Sequence, residues 1–208
     1  MYEPPHFKEE RIDVLHDAIR QARLATLVTI TTSGLEATHL PMLVDAAPAP
    51  HGTLIGHVAR ANPQWKTSSA EVEGLAIFQG PQAYITPSWY ATKRETGKVV
   101  PTWNYVAVHA YGRLRFIEDA DELLGIVTRL TDTQEKSRAN PWAVSDAPPD
   151  FVRAQLKGIV GVEMTITRLQ GKWKMSQNRN APDRQGVADG LTQEGEVAVA
   201  GLVPVEAK

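Results

Sequence analysis

The 208-residue chain reads as mainly β with peripheral helices, an α+β antiparallel barrel that is closed or nearly closed. Two observations predict this. Strand-like runs recur at hairpin spacing along the sequence, and only a few helical patterns interrupt them. There is also no internal repeat and no clear linker. Residues 1–208 are therefore expected to form one domain, with a helix at 8–23 and a helical or loose tail at 180–208.

The elements follow in order. Lys8 to Arg23 sets Ile12, Leu15, Ile19 and Ala22 at three- and four-residue steps with charges between them, the pattern of an amphipathic helix. Leu24 to Thr32 is rich in β-branched residues, meets the turn signal Ser33-Gly34 and pairs with Thr38 to Asp45 as a hairpin. Ala46 to Gly52 is a loop, and Thr53 to Arg60 is a third strand. Asn62-Pro63 starts a short helix to about Ala70, because asparagine caps and proline is tolerated at the first helical position. A strand, Gly74 to Phe78, comes next. Two long strands, Ala83 to Trp89 and Val100 to Ile117, are joined by the loop Ala91 to Lys98. Glu118 to Arg138 carries Leu123, Leu124, Val127 and Leu130 on one helical face, with Asp119 as its cap. After the break at Asp146-Ala147-Pro148-Pro149, Phe151 to Lys157 is helical and Gly158 to Arg168 is a strand. A turn at Gln170-Gly171 leads into Lys172 to Ser176. A weak helix from Pro182 to Leu191 precedes a loose tail.

Composition excludes several classes. The formal charge of -2 gives no basic excess for indiscriminate nucleic-acid binding. Cysteine is absent, so disulfides, thiolate metal sites and cysteine nucleophiles are excluded. No apolar run approaches bilayer length and the start lacks an apolar signal core, so a soluble, cytoplasmic protein with no membrane association is expected. There is no glycine-rich dinucleotide turn, no P-loop, no G-x-S-x-G context around Ser88 and no helix-turn-helix. His39, His57 and His109 lack the spacing of a metal site, so none is expected.

Four clusters carry possible chemistry. Gly80 to Gly112 places Tyr84, Trp89, Tyr90, Trp103, Tyr105 and Tyr111 around Ser88, Thr102, Asn104 and His109. Flat rings beside hydrogen-bonding groups suit a planar polar ligand, although the same pattern also describes ordinary sheet core. His57 and Arg60 precede the helix that begins at Asn62-Pro63. A guanidinium at a helix start favours phosphate, while the plainer reading has Asn62 capping and Arg60 solvated. Thr38-His39-Leu40-Pro41 fixes the direction of His39, since a residue before proline is held extended. Such a histidine is more often a structural hydrogen bonder than a ligand contact. Lys172-Trp173-Lys174-Met175-Ser176-Gln177-Asn178-Arg179 puts two lysines on one strand face, followed by amides that suit a pyrimidine edge. A charge run of this kind is usually a solvated strand end.

Together the clusters resemble the PaiB-type FMN-binding transcriptional regulators, a family within the FMN-binding split-barrel group. The resemblance is carried by Met1-Tyr2 with Pro5-His6-Phe7, by His39-Leu40-Pro41 and by the run Gly56 to Pro63. It continues through Gly80 to Tyr90 and Val100 to Tyr105, and ends at Ser176-Gln177-Asn178-Arg179. It implies a six-stranded split barrel, a homodimer with FMN at the subunit interface, and negative control of transcription. The residues expected to hold FMN are Thr38, His39, His57, Arg60, Asn62, Ser88, Thr102, Trp103, Asn104, Lys174, Gln177 and Asn178. No catalytic residue is assigned. The leading reading is a regulator that senses flavin or redox state. Its alternatives are an FMN-dependent oxidoreductase, of the flavin reductase or pyridoxamine phosphate oxidase kind, and a haem-binding relative of the barrel. Specific DNA binding is not expected, since the basic residues Lys93, Arg94 and Lys98 lie in a loop whose simplest reading is a solvated tip.

Overall fold

The computed structural model describes residues 1–205. Its strands are β1 (Lys8–Glu9), β2 (Leu24–Thr31), β3 (Gly34–Asp45), β4 (Thr53–Ala59), β5 (Gly74–Ile85), β6 (Thr102–Ile117) and β7 (Ile159–Lys174). They form one sheet in the order β1-β7-β4-β3-β2-β5-β6, and a further pairing of β7 with β6 closes the ring. Six strands make the ring, as expected for the split barrel. The seventh, β1, is a two-residue addition that pairs with Lys172 and Gly171. That pairing explains one departure from expectation. Gln170-Gly171 is not a turn, because β1 supplies ladder partners and β7 continues through it. Likewise, the expected strands at 74–78 and 83–89 are one strand to Ile85. Pro87 then opens a 3-10 turn, Pro87–Trp89, in which Thr86 Oγ1 accepts from the Ser88 backbone N–H at 3.2 Å.

The β2–β3 hairpin pairs Thr31 with Gly34, so its turn is Thr32-Ser33 and β3 begins four residues before Thr38. Gly34 has φ 118°, which excludes most side chains. Alternate residues point inward along each strand: Ala25 and Leu27 on β2, Leu40, Met42 and Val44 on β3, Leu54 and Val58 on β4, and Val160, Val162 and Met164 on β7 are all buried.

The chain gathers into two compact units. One comprises Ile12–Phe78 and His109–Leu169, and the other comprises Met1–Arg11, Gln79–Val108 and the chain from Gln170 onward. In the first, α1 (Ile12–Ala22) buries Leu15, His16 and Ile19, and the His16 Nε2 donates to the His51 carbonyl at 2.8 Å. Helix α2 is short (Gln64–Thr67). Helix α4 (Ala120–Glu135) is capped by Asp119, whose Oδ1 accepts from the N–H groups of Asp121 and Glu122. Its Leu123, Ile126 and Leu130 pack with Leu156 of α5 (Pro149–Leu156) against Leu43, Ile55, Ile117 and Ile159 on the outer sheet face.

In the second unit, the segment expected as a loop holds α3 (Thr92–Thr96), which ends at Gly97 with φ 67°. The expected weak helix is α6 (Ala181–Gln193), followed by α7 (Val197–Ala200). The tail up to residue 205 is not loose: Val187, Leu191, Val199 and Val203 form a core with Ile85, Tyr90 and Met175. Glu206 to Lys208 lie outside the described residues. Among the described residues no helix is long and apolar enough to cross a membrane.

Helix α6 meets Trp89 through two glycines one turn apart. A Cβ on Gly186 would lie 2.0 Å from the Trp89 carbonyl oxygen, and one on Gly190 would lie 2.3 Å from its indole. Gly125, in α4, has nothing within 4 Å of such a Cβ. Alanine is the better helix former by about 0.8–1 kcal/mol, so Gly125→Ala should stabilise by about that amount. Gly190→Ala should instead destabilise by about 1–3 kcal/mol, the usual range for overpacking. Urea unfolding of both variants checks the contrast, and equal gains would show that α6 does not clasp Trp89.

Candidate functional site

The residues singled out by sequence fall into both units. In the first unit, Asn62 holds two groups at once. Its Nδ2 donates to the Thr38 hydroxyl at 2.8 Å, and its Oδ1 caps α2 by accepting from the Gln64 backbone N–H at 2.9 Å. Gln64 is buried and donates into the first hairpin, with its Nε2 3.0 Å from Thr29 Oγ1 and 3.2 Å from the Glu36 carbonyl. Thr38 and Asn62 are thus brought together. His39 is not with them: strand alternation puts Thr38 on the face of Leu40 and Met42, while His39 is exposed on the other.

Arg60 is fully engaged. Its Nε donates to the Lys157 carbonyl at 2.9 Å, its Nη2 to the Ile159 carbonyl at 3.1 Å, and its Nη1 to the Glu118 carboxylate at 2.6 Å. The guanidinium also lies 5.8 Å from the Trp65 ring centroid. Phosphate at this position would have to displace Glu118, and the start of the four-residue α2 is already closed by Asn62. Nothing in the sequence marks Glu118 as the partner of Arg60, since the two are joined only by the fold. His57 sits on the outer face of β4, the face of Ile55. Its Nδ1 is buried without a hydrogen-bond partner, and burial pushes its pKa down, so the imidazole is neutral at neutral pH.

In the second unit, Lys174 is the hub. Its ammonium donates to the Thr102 hydroxyl and to the Trp103 carbonyl. Burial, and then the nearby charges of Lys172 and Arg179, lower its pKa. Lys172 donates to the Tyr2 carbonyl at 3.0 Å and lies 5.3 Å from the Tyr105 ring centroid, while Arg179 stands 4.6 Å from that of Tyr90. All three cations therefore rest on carbonyls, a hydroxyl and rings, and among the described residues none has a carboxylate in salt-bridge contact. That is the arrangement which leaves positive potential free to attract an anionic group. Lys172 and Tyr105 were not among the expected ligand residues; the alternate placement of Lys172 and Lys174 on one strand was the signal that pointed to the former.

Beside this cluster the indole of Trp103 is 53 % exposed and the Tyr84 ring 49 %. Their centroids are 6.1 Å apart in an edge-to-face contact. An open cleft of about 290 Å³ is lined by Gln79, Gly80, Gln82, Trp103, Tyr105 and Val106. Asn104 is buried and exchanges hydrogen bonds with Ser176, with its Nδ2 3.1 Å from the serine Oγ. Gln177, just past β7, turns back on the end of that strand, accepting from the Met175 N–H and donating to the Trp173 carbonyl. Asn178 is exposed. Ser88, also exposed, accepts from Lys93 Nζ at 3.1 Å. Asn104 and Gln177 thus hold local structure, while the exposed Trp103 adjoins the half-buried, hydrogen-bonded pair Thr102 and Lys174. Among the described residues no group of three or more His, Asp or Glu stands placed to hold a metal ion.

An exposed flat indole, a cation held at the backbone carbonyl of the same residue and no competing carboxylate fit a planar ligand with a polar, electron-accepting edge, which is the chemistry of a flavin ring. Comparison with known proteins agrees. Residues 1–168 match the family model FMN_bind_2, described as "Putative FMN-binding domain". The chain is 38% identical over 194 residues to the protease synthase and sporulation protein PAI 2 of Bacillus subtilis, covering 93% of this chain and 90% of that protein. Among solved structures, the FAD and heme binding protein from Mycobacterium smegmatis shares the fold with a TM-score of 0.59 at 14% identity, over 88% of this chain and 80% of that one. The flavocytochrome Anf3 from Azotobacter vinelandii does so with a TM-score of 0.58 at 10% identity, over 80% and 69%. The chain belongs to the PaiB-type FMN-binding family of split-barrel proteins, and FMN is the cofactor that this membership assigns to it.

Proposed function

We propose that this protein is an FMN-binding homodimer that acts in regulation by sensing flavin or redox state, without reading DNA itself. The observation that carries the flavin half is the exposed Trp103–Tyr84 pair beside Lys174. Trp103 offers a stacking face, and Lys174 places a positive charge next to it. FMN supplies reversible hydride and electron chemistry when bound, and a cation near the polar edge of its ring favours the form that carries more negative charge. Thr102 and the Trp103 carbonyl hold the Lys174 ammonium in place. The same two half-exposed rings supply the apolar surface from which a homodimer interface is expected, since interfaces favour large aromatics. The regulatory half rests on the relationship to PAI 2, whose name ties it to protease synthesis and sporulation.

A second reading, an FMN-dependent oxidoreductase, draws on the open cleft lined by Trp103 and Tyr105, which leaves room for a second reactant. Oxidation of NADH or NADPH by the FMN-loaded protein under steady turnover would favour it.

Fluorescence titration with FMN and riboflavin tests the site. Stacking on an aromatic ring contributes about 1–3 kcal/mol, so Trp103→Ala should weaken both ligands by roughly fivefold or more. Lys174→Met should also weaken both. In the unmodified protein, affinity should fall as pH rises, beginning below the ordinary lysine pKa because Lys174 loses its proton early. Arg60→Ala should affect FMN and riboflavin alike, since Glu118 and two carbonyls already hold the guanidinium. Loss of FMN alone would place the phosphate at Arg60, and full affinity in both the Trp103 and Lys174 variants would remove the ring from this face.

Specific DNA recognition needs side chains that reach base edges, with several phosphate contacts behind them. Lys93 and Arg94 lie on the five-residue helix α3, and Lys93 is turned toward Ser88. The dimer, with or without FMN, should therefore show no competitor-resistant binding to host promoter fragments in a gel-shift assay at physiological salt. One fragment bound tightly, and released when Lys93 and Arg94 are neutralised, would make the protein a direct repressor. Sedimentation should show a dimer at micromolar concentration, and a stable monomer would refute the homodimer.

A further inference from the structure

Lys172 is buried, at 7 % exposure, and among the described residues no carboxylate stands in salt-bridge contact with it. Lysine is almost never buried in a folded protein unless it is paired, so this one calls for a reason. What surrounds its ammonium is a cage. The Tyr2 carbonyl accepts from it at 3.0 Å, and the ring centroids of Tyr2 and Tyr105 lie 5.4 Å and 5.3 Å away. A carbonyl and two ring faces hold a cation in place without neutralising it. The nearby carboxylates are engaged elsewhere: Glu10 pairs with Lys8, the residue opposite Lys172 on β1, and Glu3 accepts from the Gln170 amide at 2.6 Å.

The cage meets the cleft through two neighbours. Tyr105 lines the cleft beside Trp103, whereas Lys172 itself is not on its wall. Two residues along the same strand face stands Lys174, held by the Thr102 hydroxyl and the Trp103 carbonyl. We propose that Lys172 is a positioning residue of the flavin site, a caged positive charge that fixes the Tyr105 wall and acts on FMN through Lys174. This role rests on the placement of the flavin ring beside Trp103 and Lys174.

The role has a signature of two opposed effects. Burial, then Lys172, then Arg179 lower the pKa of Lys174, so removing the Lys172 charge lets Lys174 keep its proton to higher pH. Removing that charge also weakens the field that attracts the anionic FMN. Affinity should therefore start lower and persist to higher pH. The other charged groups of this region stay as they are: Arg179 stands over Tyr90, Lys8 is paired with Glu10, Glu3 is held by Gln170, and Asp183 accepts from Thr92.

Fluorescence titration with FMN across pH, in the unmodified protein, Lys172→Met and Lys172→Arg, tests the proposal. At neutral pH Lys172→Met should bind FMN about threefold or more weakly, the effect of one partly screened charge. The pH at which affinity falls should move upward in Lys172→Met and stay in place in Lys172→Arg. Lys172→Gln, a second neutral variant, should behave as Lys172→Met. Without FMN, the reactivity of Lys174 toward acetic anhydride, followed against pH by mass spectrometry, should show the same upward shift in the neutral variants only. A packing role would weaken FMN equally at every pH and leave the labelling profile unmoved. The proposal is overturned by that result, or by an arginine variant that behaves as the neutral ones. If Lys174→Met leaves FMN affinity unchanged, the flavin placement is lost and this role with it. If Lys174→Met weakens FMN but the labelling profile is the same with and without the Lys172 charge, the role alone is lost.

Discussion

Closure of the sheet depends on how near β6 can come to β7. At Gly112 a Cβ would lie 2.2 Å from the Thr165 carbonyl oxygen, so any other residue there would push the two backbones apart. Glycine in a strand interior weakens it locally, but here it permits the pairing that removes two open edges at once. Gly161 has a similar role in the next layer outward, where an added Cβ would come within 2.9 Å of the Ile126 side chain. Each of these glycines trades local strand or packing strength for close approach. Because β7 pairs with β4 on one side and β6 on the other, the register of β4, and with it the position of His57, Arg60 and Asn62, follows from that approach.

Charge is then distributed by what the fold places beside each cation. Arg60 is neutralised by Glu118, and Arg115 by Glu163 and Glu122. Lys172, Lys174 and Arg179 instead rest on carbonyls, a hydroxyl and rings. An exposed ion pair contributes little to stability, so the pairing of Arg60 matters chiefly for what it withholds from a ligand. Burial first, and then the neighbouring charges of Lys172 and Arg179, disfavour the charged form of Lys174 and lower its pKa. An anionic or electron-rich partner offsets this, which is why ligand chemistry points to Lys174 more strongly than to Arg60.

The barrel was legible in the sequence because β-branched runs and hairpin turns are local signals. The helix face of α1 was legible for the same reason, and that of α4 only in part: Leu123 and Leu130 are buried as expected, but Leu124 is exposed and Ile126 is buried instead. What misled was local signal without its partner. Gln170-Gly171 has the composition of a turn, yet the chain's own start supplies ladder partners there. The tail from Pro182 has a weak amphipathic pattern, yet Gly186 and Gly190 seat it on Trp89. In the candidate site, the same-face placement of Lys172 and Lys174 was legible from strand alternation, and Trp103 stood out in the aromatic run Gly80 to Gly112. The tie of Arg60 to Glu118 was not, because 58 residues separate them and neither shows a pairing motif. His39 was grouped with Thr38 by adjacency, and adjacency on a strand is what separates two side chains.

Trp103 with Tyr84, and Trp142 with Phe151, leave large aromatic rings in solvent, and their surroundings differ in charge. Trp103 and Tyr84 stand beside Lys174, whose charge no carboxylate among the described residues offsets. Trp142 and Phe151 stand beside the neutral imidazole of His57 among aliphatic side chains. A charged ring system gains at the first and suffers desolvation at the second, while an uncharged one gains little from the lysine and loses nothing among the valines. The difference follows from one neighbour of each pair: a lysine whose pKa is lowered by burial and by nearby cations, and a histidine whose pKa burial lowers.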